Sequence, residues 1–145
     1  MLPQPEADSL PVRQSAPMTS RTAAGDAEFT AAERAYLRTQ RLARLATVDA
    51  DGRPQNNPVG FYPRDDGTVV VGGYNLATTR KWRNLKRNPW LALVVDDLAS
   101  VQPWHVRGVE IRGEAELRTG SHDVNPQMSD ELIVVHPRWI HSWGL

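Results

Sequence analysis

The sequence predicts a mainly β domain: six antiparallel strands forming a barrel, closed or partly closed, with a short helix ahead of it and one helix inserted midway. Three observations carry this reading. Ten Gly and 11 Pro in 145 residues predict frequent turns. Apolar residues alternate with polar ones over several short runs, the period of a half-buried strand. Helical spacing recurs in only two places, so the strands must supply most of the core. A sandwich of the same strands is the alternative that this pattern leaves open.

Residues 1–28 stand apart. They hold no aromatic residue and four prolines, Pro3, Pro5, Pro11 and Pro17, and show neither period. They are expected to be a disordered tail preceding a single domain at 29–145. Arg13 and Arg21 against Glu6, Asp8, Asp26 and Glu28 give the tail a charge of −2, which leaves +2 for the rest of a neutral chain. Structure is expected from Phe29. Thr30 and Glu33 have capping-box spacing, and Phe29, Ala32, Tyr36 and Leu37 follow with helical spacing, so a helix is predicted over about 30–40.

Leu42–Val48 then reads as a strand, ended by the hairpin signal Asp49-Ala50-Asp51-Gly52. The second strand is Arg53–Tyr62. Pro54 and Pro58 cannot donate to a ladder, so part of it should be an edge or a bulge. After the turn Pro63-Arg64-Asp65-Asp66-Gly67, the third strand is Thr68–Tyr74, with Val69, Val70 and Val71 buried. A helix follows, capped by Thr78 or Thr79 and ended by Asn88-Pro89. Trp90–Val95 is the fourth strand, closed by Asp96-Asp97. Arg107–Leu117 is the fifth, with Gly108, Glu110, Arg112, Glu114 and Glu116 alternating with its apolar face. Leu132–Val135 is the sixth, and Trp139–Leu145 is an apolar C-terminal end.

Composition excludes several functions. The chain has no Cys, which removes disulfides, thiolate metal sites and Cys nucleophiles, and is compatible with a cytoplasmic protein. Equal numbers of basic and acidic residues, 17 each, argue against a nucleic-acid partner. No apolar run approaches the roughly 20 residues of a membrane helix, so no membrane partner is expected. Of the four histidines, His136 and His141 are separated by Pro137 at poor ligand spacing, and no metal site is expected. Ser121-His122-Asp123 is contiguous and reads as a loop, since a catalytic triad converges in space rather than in sequence. All five tryptophans lie at or after residue 82: Trp82, Trp90, Trp104, Trp139 and Trp143. They suit either ordinary core packing or an interface shared with a flat ligand.

The strongest local signal is the inserted helix. Five of the eight residues Arg80–Arg87 are basic and none is acidic. Both lysines of an otherwise arginine-only cation set, Lys81 and Lys86, lie in it. One reading is a solvated basic face, with Trp82 and Leu85 turned inward. The other is an anion site, in which the helix N-terminus, Thr78, Thr79, Arg80 and Lys81 hold a phosphate. Basic charge at a helix N-terminus opposes the macrodipole, and an anion there would relieve the conflict.

Three pieces in order resemble the flavin- and deazaflavin-binding split β-barrel proteins, the pyridoxamine 5′-phosphate oxidase-like group. They are Leu45–Gln55, Thr79–Pro89 and Gly108–Ala115. The closing Ser142-Trp143-Gly144-Leu145 is similar to the coenzyme F420-dependent oxidoreductase branch, and Lys81 falls where that branch has its cofactor-phosphate lysine. The resemblance implies a split-barrel homodimer with cofactor sites at the interface. The ring system would lie near Asn56, Asn57, Pro58 and Val59, with the phosphate at Thr78, Thr79, Arg80 and Lys81. Arg83 and Arg87 would reach the acidic tail that F420 has and FMN lacks, and Trp104 would supply an aromatic wall. The implied function is hydride transfer between F420, or alternatively FMN, and a small organic acceptor, or flavin carriage without turnover. No catalytic acid or base is implied. Two departures stand out. Only Thr119–Asp130 fills the gap where the family often has a helix, and a C-terminal Arg- and His-bearing motif associated with vitamin B6 oxidation is missing.

Overall fold

The sheet closes on itself as a six-stranded antiparallel barrel, in which the first strand pairs with the second and fourth, and the third with the second and sixth. The computed structural model describes residues 27–145; residues 1–26, most of the predicted tail, lie outside the described residues. Ala27 is buried, and its N–H donates to Pro137 O at 2.9 Å, so the chain is tied to the barrel two residues ahead of Phe29.

Helix α1 (Ala31–Thr39) has the capping box expected of Thr30 and Glu33. Glu33 N–H donates to Thr30 Oγ1 at 3.2 Å, and Thr30 N–H donates to the Glu33 carboxylate at 2.8 Å. Tyr36 and Leu37 bury the inner face of α1 against the barrel. Strand β1 (Leu42–Val48) turns back through Asp49–Gly52 into β2 (Pro54–Pro63). The pair runs in register from Leu42 opposite Gly60 to Val48 opposite Pro54. Strand β3 (Val69–Val71) covers only Phe61–Pro63 of the other edge of β2. Pro54 and Pro58 therefore lie where β2 has no strand on that side, which is how their missing N–H groups are tolerated.

Strands β4 (Trp90–Val101), β5 (Trp104–Arg118) and β6 (Leu132–Trp143) are all longer than the sequence predicts. Asp96-Asp97 does not end β4, because both carboxylates find arginines. Arg44 pairs with Asp96 at 3.2 Å, and Arg107 grips Asp97 through Nε at 3.0 Å and Nη2 at 2.6 Å. Pro137 does not end β6 either. A bulge shifts the register there, so that Gly113 faces Pro137 while Arg112 faces Trp139. Gly113 is required at that bulge, since a Cβ on it would come within 2.3 Å of His136 O. Leu45, Leu93, Val95, Val109, Ile111 and Ile133 fill the barrel interior. Among the described residues no helix is long and apolar enough to cross a membrane.

Candidate functional site

The third strand is shorter than predicted because the chain leaves the ladder after Val71. Gly72 and Gly73 follow, with Met128 and Leu132 beside Gly72 and Leu76 beside Gly73. Asn75 turns the chain with φ 50° and ψ 45°, a left-handed conformation that Asn tolerates. A single 3-10 turn, Leu76–Thr78, follows, anchored by fully buried Leu76. Thr79 then caps α2 (Arg80–Arg87).

Thr78 and Thr79 shape this connector rather than offer protons to a ligand. Thr78 Oγ1 donates to Asn75 O at 2.8 Å, and Thr79 Oγ1 donates to Leu76 O at 2.6 Å while accepting from Trp82 N–H. The Arg83 N–H is taken by Thr79 O at 3.3 Å. Of the first-turn amides, those of Arg80 and Lys81 have no acceptor among the described residues and stand at the positive end of the helix.

Trp82 and Leu85 turn inward and are buried. Arg80, Arg83 and Arg87 are spaced i, i+3, i+7, so they form one stripe on the opposite, outer side. Arg83 Nη1 folds back to Thr78 O at 3.0 Å. Among the described residues no carboxylate pairs with Arg80, Lys81, Arg83 or Arg87. Lys81 lies between the two faces, half-buried, and burial holds its ammonium below the ordinary lysine value. The β1–β2 hairpin comes close enough for Arg80 to act on Asp49. The Asp49 carboxyl is held below its usual value mainly by the Arg53 N–H, then by the Asp51 N–H, the Arg53 charge and Arg80.

A polar cluster seats α2 on the hairpin. The Asn84 amide donates to Thr47 Oγ1 at 3.0 Å and to Gln55 Oε1 at 3.2 Å. One position further along the same inner row, the Asn57 Oδ1 is shut off from solvent without a hydrogen-bond partner among the described residues. Asn84 and Ser129, which acts on the connector below, are given no role by the sequence reading. Each works through a contact between distant segments, which no local spacing announces.

Strand alternation divides the predicted ring-binding group. Asn57 and Val59 face the barrel interior with Leu45 and Ala43, their partners in register, while Asn56 and Pro58 face outward with Ala46 and Arg44. The two sets cannot line one face of a ligand (period two). Trp104 lies at the far end of the β4–β5 hairpin from α2, and β4 alone spans 12 residues. At about 3.3 Å per residue, that puts Trp104 on the order of 30 Å from α2 in the same chain. Thr78, Thr79, Arg80, Lys81, Arg83 and Arg87 lie together on the connector and α2, and Trp104 of the same chain is not brought to them.

Outside the barrel, Ala46, Val48, Pro54, Trp90, Ala92 and Trp139 line a largely apolar groove of about 410 Å³, with Arg112 and Arg138 at its edge. The Arg112 guanidinium lies over Trp139, 4.4 Å from the ring centroid, and Trp139 stacks on His141 at 5.6 Å. Trp90 is 48% exposed there. His105 Nε2 is bonded to Gly144 O at 2.7 Å. Among the described residues no group of three or more His, Cys, Asp or Glu is placed to hold a metal.

Residues 29–143 match the family described as pyridoxamine 5′-phosphate oxidase. Over 119 residues the chain is 44% identical to a 5a,11a-dehydrotetracycline/5a,11a-dehydrooxytetracycline reductase of Streptomyces rimosus, spanning 81% of this chain and 84% of the relative. A conserved hypothetical protein of Mycobacterium tuberculosis has a similar fold, with a TM-score of 0.64 at 19% identity over 86% of this chain and 90% of that one. So does an FAD-binding protein of Mesorhizobium loti, with a TM-score of 0.62 at 17% identity over 79% and 93%.

Proposed function

The chain belongs to the pyridoxamine 5′-phosphate oxidase family, and we propose that it is an F420-dependent oxidoreductase that reduces an activated double bond in a small organic acceptor. The 44% identical relative is named as a reductase, which supports the reaction class. The observation that carries the cofactor reading is the cationic surface of α2. Two amides without acceptors and the half-buried Lys81 suit one phosphate. The stripe Arg80, Arg83 and Arg87 continues about 10 Å along the helix, at 1.5 Å per residue. A phosphate alone, as in FMN, leaves Arg83 and Arg87 unused, whereas an acidic tail beyond the phosphate uses both.

The residues present fit such a cofactor. Arg80 and Lys81 would hold its phosphate, with Thr78 and Thr79 fixing the main chain around it, and Arg83 and Arg87 would hold its tail. Asn56 and Pro58 would support the ring from the outer face of β2. When bound, the reduced cofactor supplies a hydride, and solvent supplies the proton that completes reduction of the double bond. The chain's own part is to orient and to exclude water, and no side chain is assigned as acid or base. In this reading the protein is a homodimer. A second copy packed on the apolar groove at Trp90 and Trp139 would bring its Trp104 within reach of a site that the first copy's Trp104 cannot approach. The protein would act in the cytoplasm, with no nucleic-acid or membrane partner.

Titrating the protein with F420, FMN and single-stranded DNA, followed by Trp and cofactor fluorescence, tests this reading. F420 should bind most tightly and DNA not at all. Tight FMN binding without an F420 response would replace the reading with an FMN reductase on the same fold.

A further inference from the structure

The loop between β5 and β6 is pinned to the connector that leads into α2. Ser129 Oγ donates to Gly73 O at 3.0 Å and accepts the Leu76 N–H at 3.1 Å. Ser129 N–H also donates to Gly73 O, again at 3.0 Å. One side chain thus joins the segment just past β3 to the start of the 3-10 turn, across 56 and 53 residues of sequence. The neighbouring Met128 packs on Gly72 so closely that a Cβ there would come within 2.4 Å of the Met128 sulfur.

Ser129 is itself held. His122 Nδ1 accepts the Val124 N–H at 3.3 Å, so its proton sits on Nε2 and is donated to Ser129 O at 2.8 Å. The Asn125 side chain accepts the Gln127 N–H at 2.9 Å and tightens the turn between them. The short loop that stands in place of a helix is thereby an ordered clamp.

We infer that Ser129 is a positioning residue for the phosphate end of the cofactor site, acting through Gly73 and Leu76 on the Thr78–Lys81 main chain. The inference rests on the phosphate reading of α2. Leu76 O and Asn75 O, which fix Thr79 and Thr78, lie next to the atoms that Ser129 holds. Displacing this turn moves the amides of Arg80 and Lys81 and leaves the outer face of β2 in place. The loss should therefore fall on the phosphate and spare the ring.

The test compares F420 with its phosphate-free deazaflavin alcohol core, in wild type, Ser129→Ala, Ser129→Thr and His122→Ala. Wild type should prefer F420. Ser129→Ala should weaken F420 by about tenfold, the scale of one misplaced charge-assisted hydrogen bond, and leave the core's affinity unchanged. Ser129→Thr should restore most of the loss, and His122→Ala should show a smaller loss of the same kind. Equal weakening of both ligands, or of neither, in Ser129→Ala overturns the inference. If that variant does not fold, the same comparison in His122→Ala decides. No preference for F420 in wild type overturns the phosphate reading itself, and this inference with it.

Discussion

Asn84 reaches across from α2 and donates through one amide nitrogen to Thr47 Oγ1 at 3.0 Å. The same nitrogen meets Gln55 Oε1 at 3.2 Å, so a single side chain fixes the helix against both strands of the first hairpin. Asn84→Ala leaves Thr47 Oγ1 without its donor and Gln55 Oε1 with only the longer bond from Thr47 at 3.5 Å, in a part-buried setting. The expected cost is about 1–2 kcal/mol. Thermal unfolding should show a lower Tm, and cofactor affinity should fall with it because α2 is no longer held square to β2. An unchanged Tm would mean that Trp82 and Leu85 seat the helix alone.

Lys81 has no carboxylate partner among the described residues and is partly withdrawn from water. Lys81→Ala should raise the Kd of F420 by about 10- to 100-fold, or roughly 1.5–3 kcal/mol, the worth of a charge-assisted hydrogen bond. Fluorescence titration measures this directly. Because burial disfavours its charge, removing Lys81 should not lower the Tm of the free protein. A large fall in Tm would assign Lys81 to the fold instead of the ligand.

The arginine stripe makes a separate prediction about ligand length. Arg83→Ala with Arg87→Ala should weaken F420 more than FMN, since only F420 carries charge beyond the phosphate. The difference should shrink at high salt, because these guanidinium groups are exposed and screened. Equal weakening of the two cofactors would show that the stripe acts as a diffuse positive field.

Asp97 makes a prediction about pH. Arg107 above all, with the Tyr36 hydroxyl, holds its carboxyl below the usual value, with burial working the other way. The stabilisation is fully present above the unfolded-state pKa of about 4 and is lost as pH falls through the lower folded value. The Tm gap between wild type and Asp97→Asn should be widest from pH 5 upward and close below pH 4. A gap independent of pH would mean that Asp97 contributes by shape and not by charge. The Tyr36 hydroxyl donates to Asp97 at 2.9 Å, and its own proton is held more tightly than in free tyrosine, chiefly by burial. It should therefore not titrate within this range.

Much of the fold is legible in local sequence. The capping box at Thr30 and Glu33, the Asp49–Gly52 turn, and the alternation through Val109 and Ile111 each depend on neighbours a few residues away. Strand ends were less legible. Asp96-Asp97 and Pro137 look like terminators, and each is tolerated only because a distant group answers it: Arg44 and Arg107 in one case, Gly113 in the other. The cationic helix was legible as composition, and its stripe of arginines follows from helical periodicity.

The sequence by itself determined that six strands form and in what order along the chain, where the first two hairpins turn, and that one helix carries a concentrated positive charge. Those properties follow from backbone preference and short-range periodicity. Only the tertiary structure decided which donors face a ligand. It spent the hydroxyl protons of Thr78 and Thr79 on main-chain carbonyls and left the amides of Arg80 and Lys81 without acceptors. It also turned Asn57 and Val59 inward, away from Asn56 and Pro58, carried Trp104 to the far end of β4, and brought Ser129 to Gly73. The threonine bonds span three residues and the strand alternation two, so they are local geometry that shows once the ends of the elements are placed; the Ser129–Gly73 contact spans 56 residues, and no local pattern encodes it.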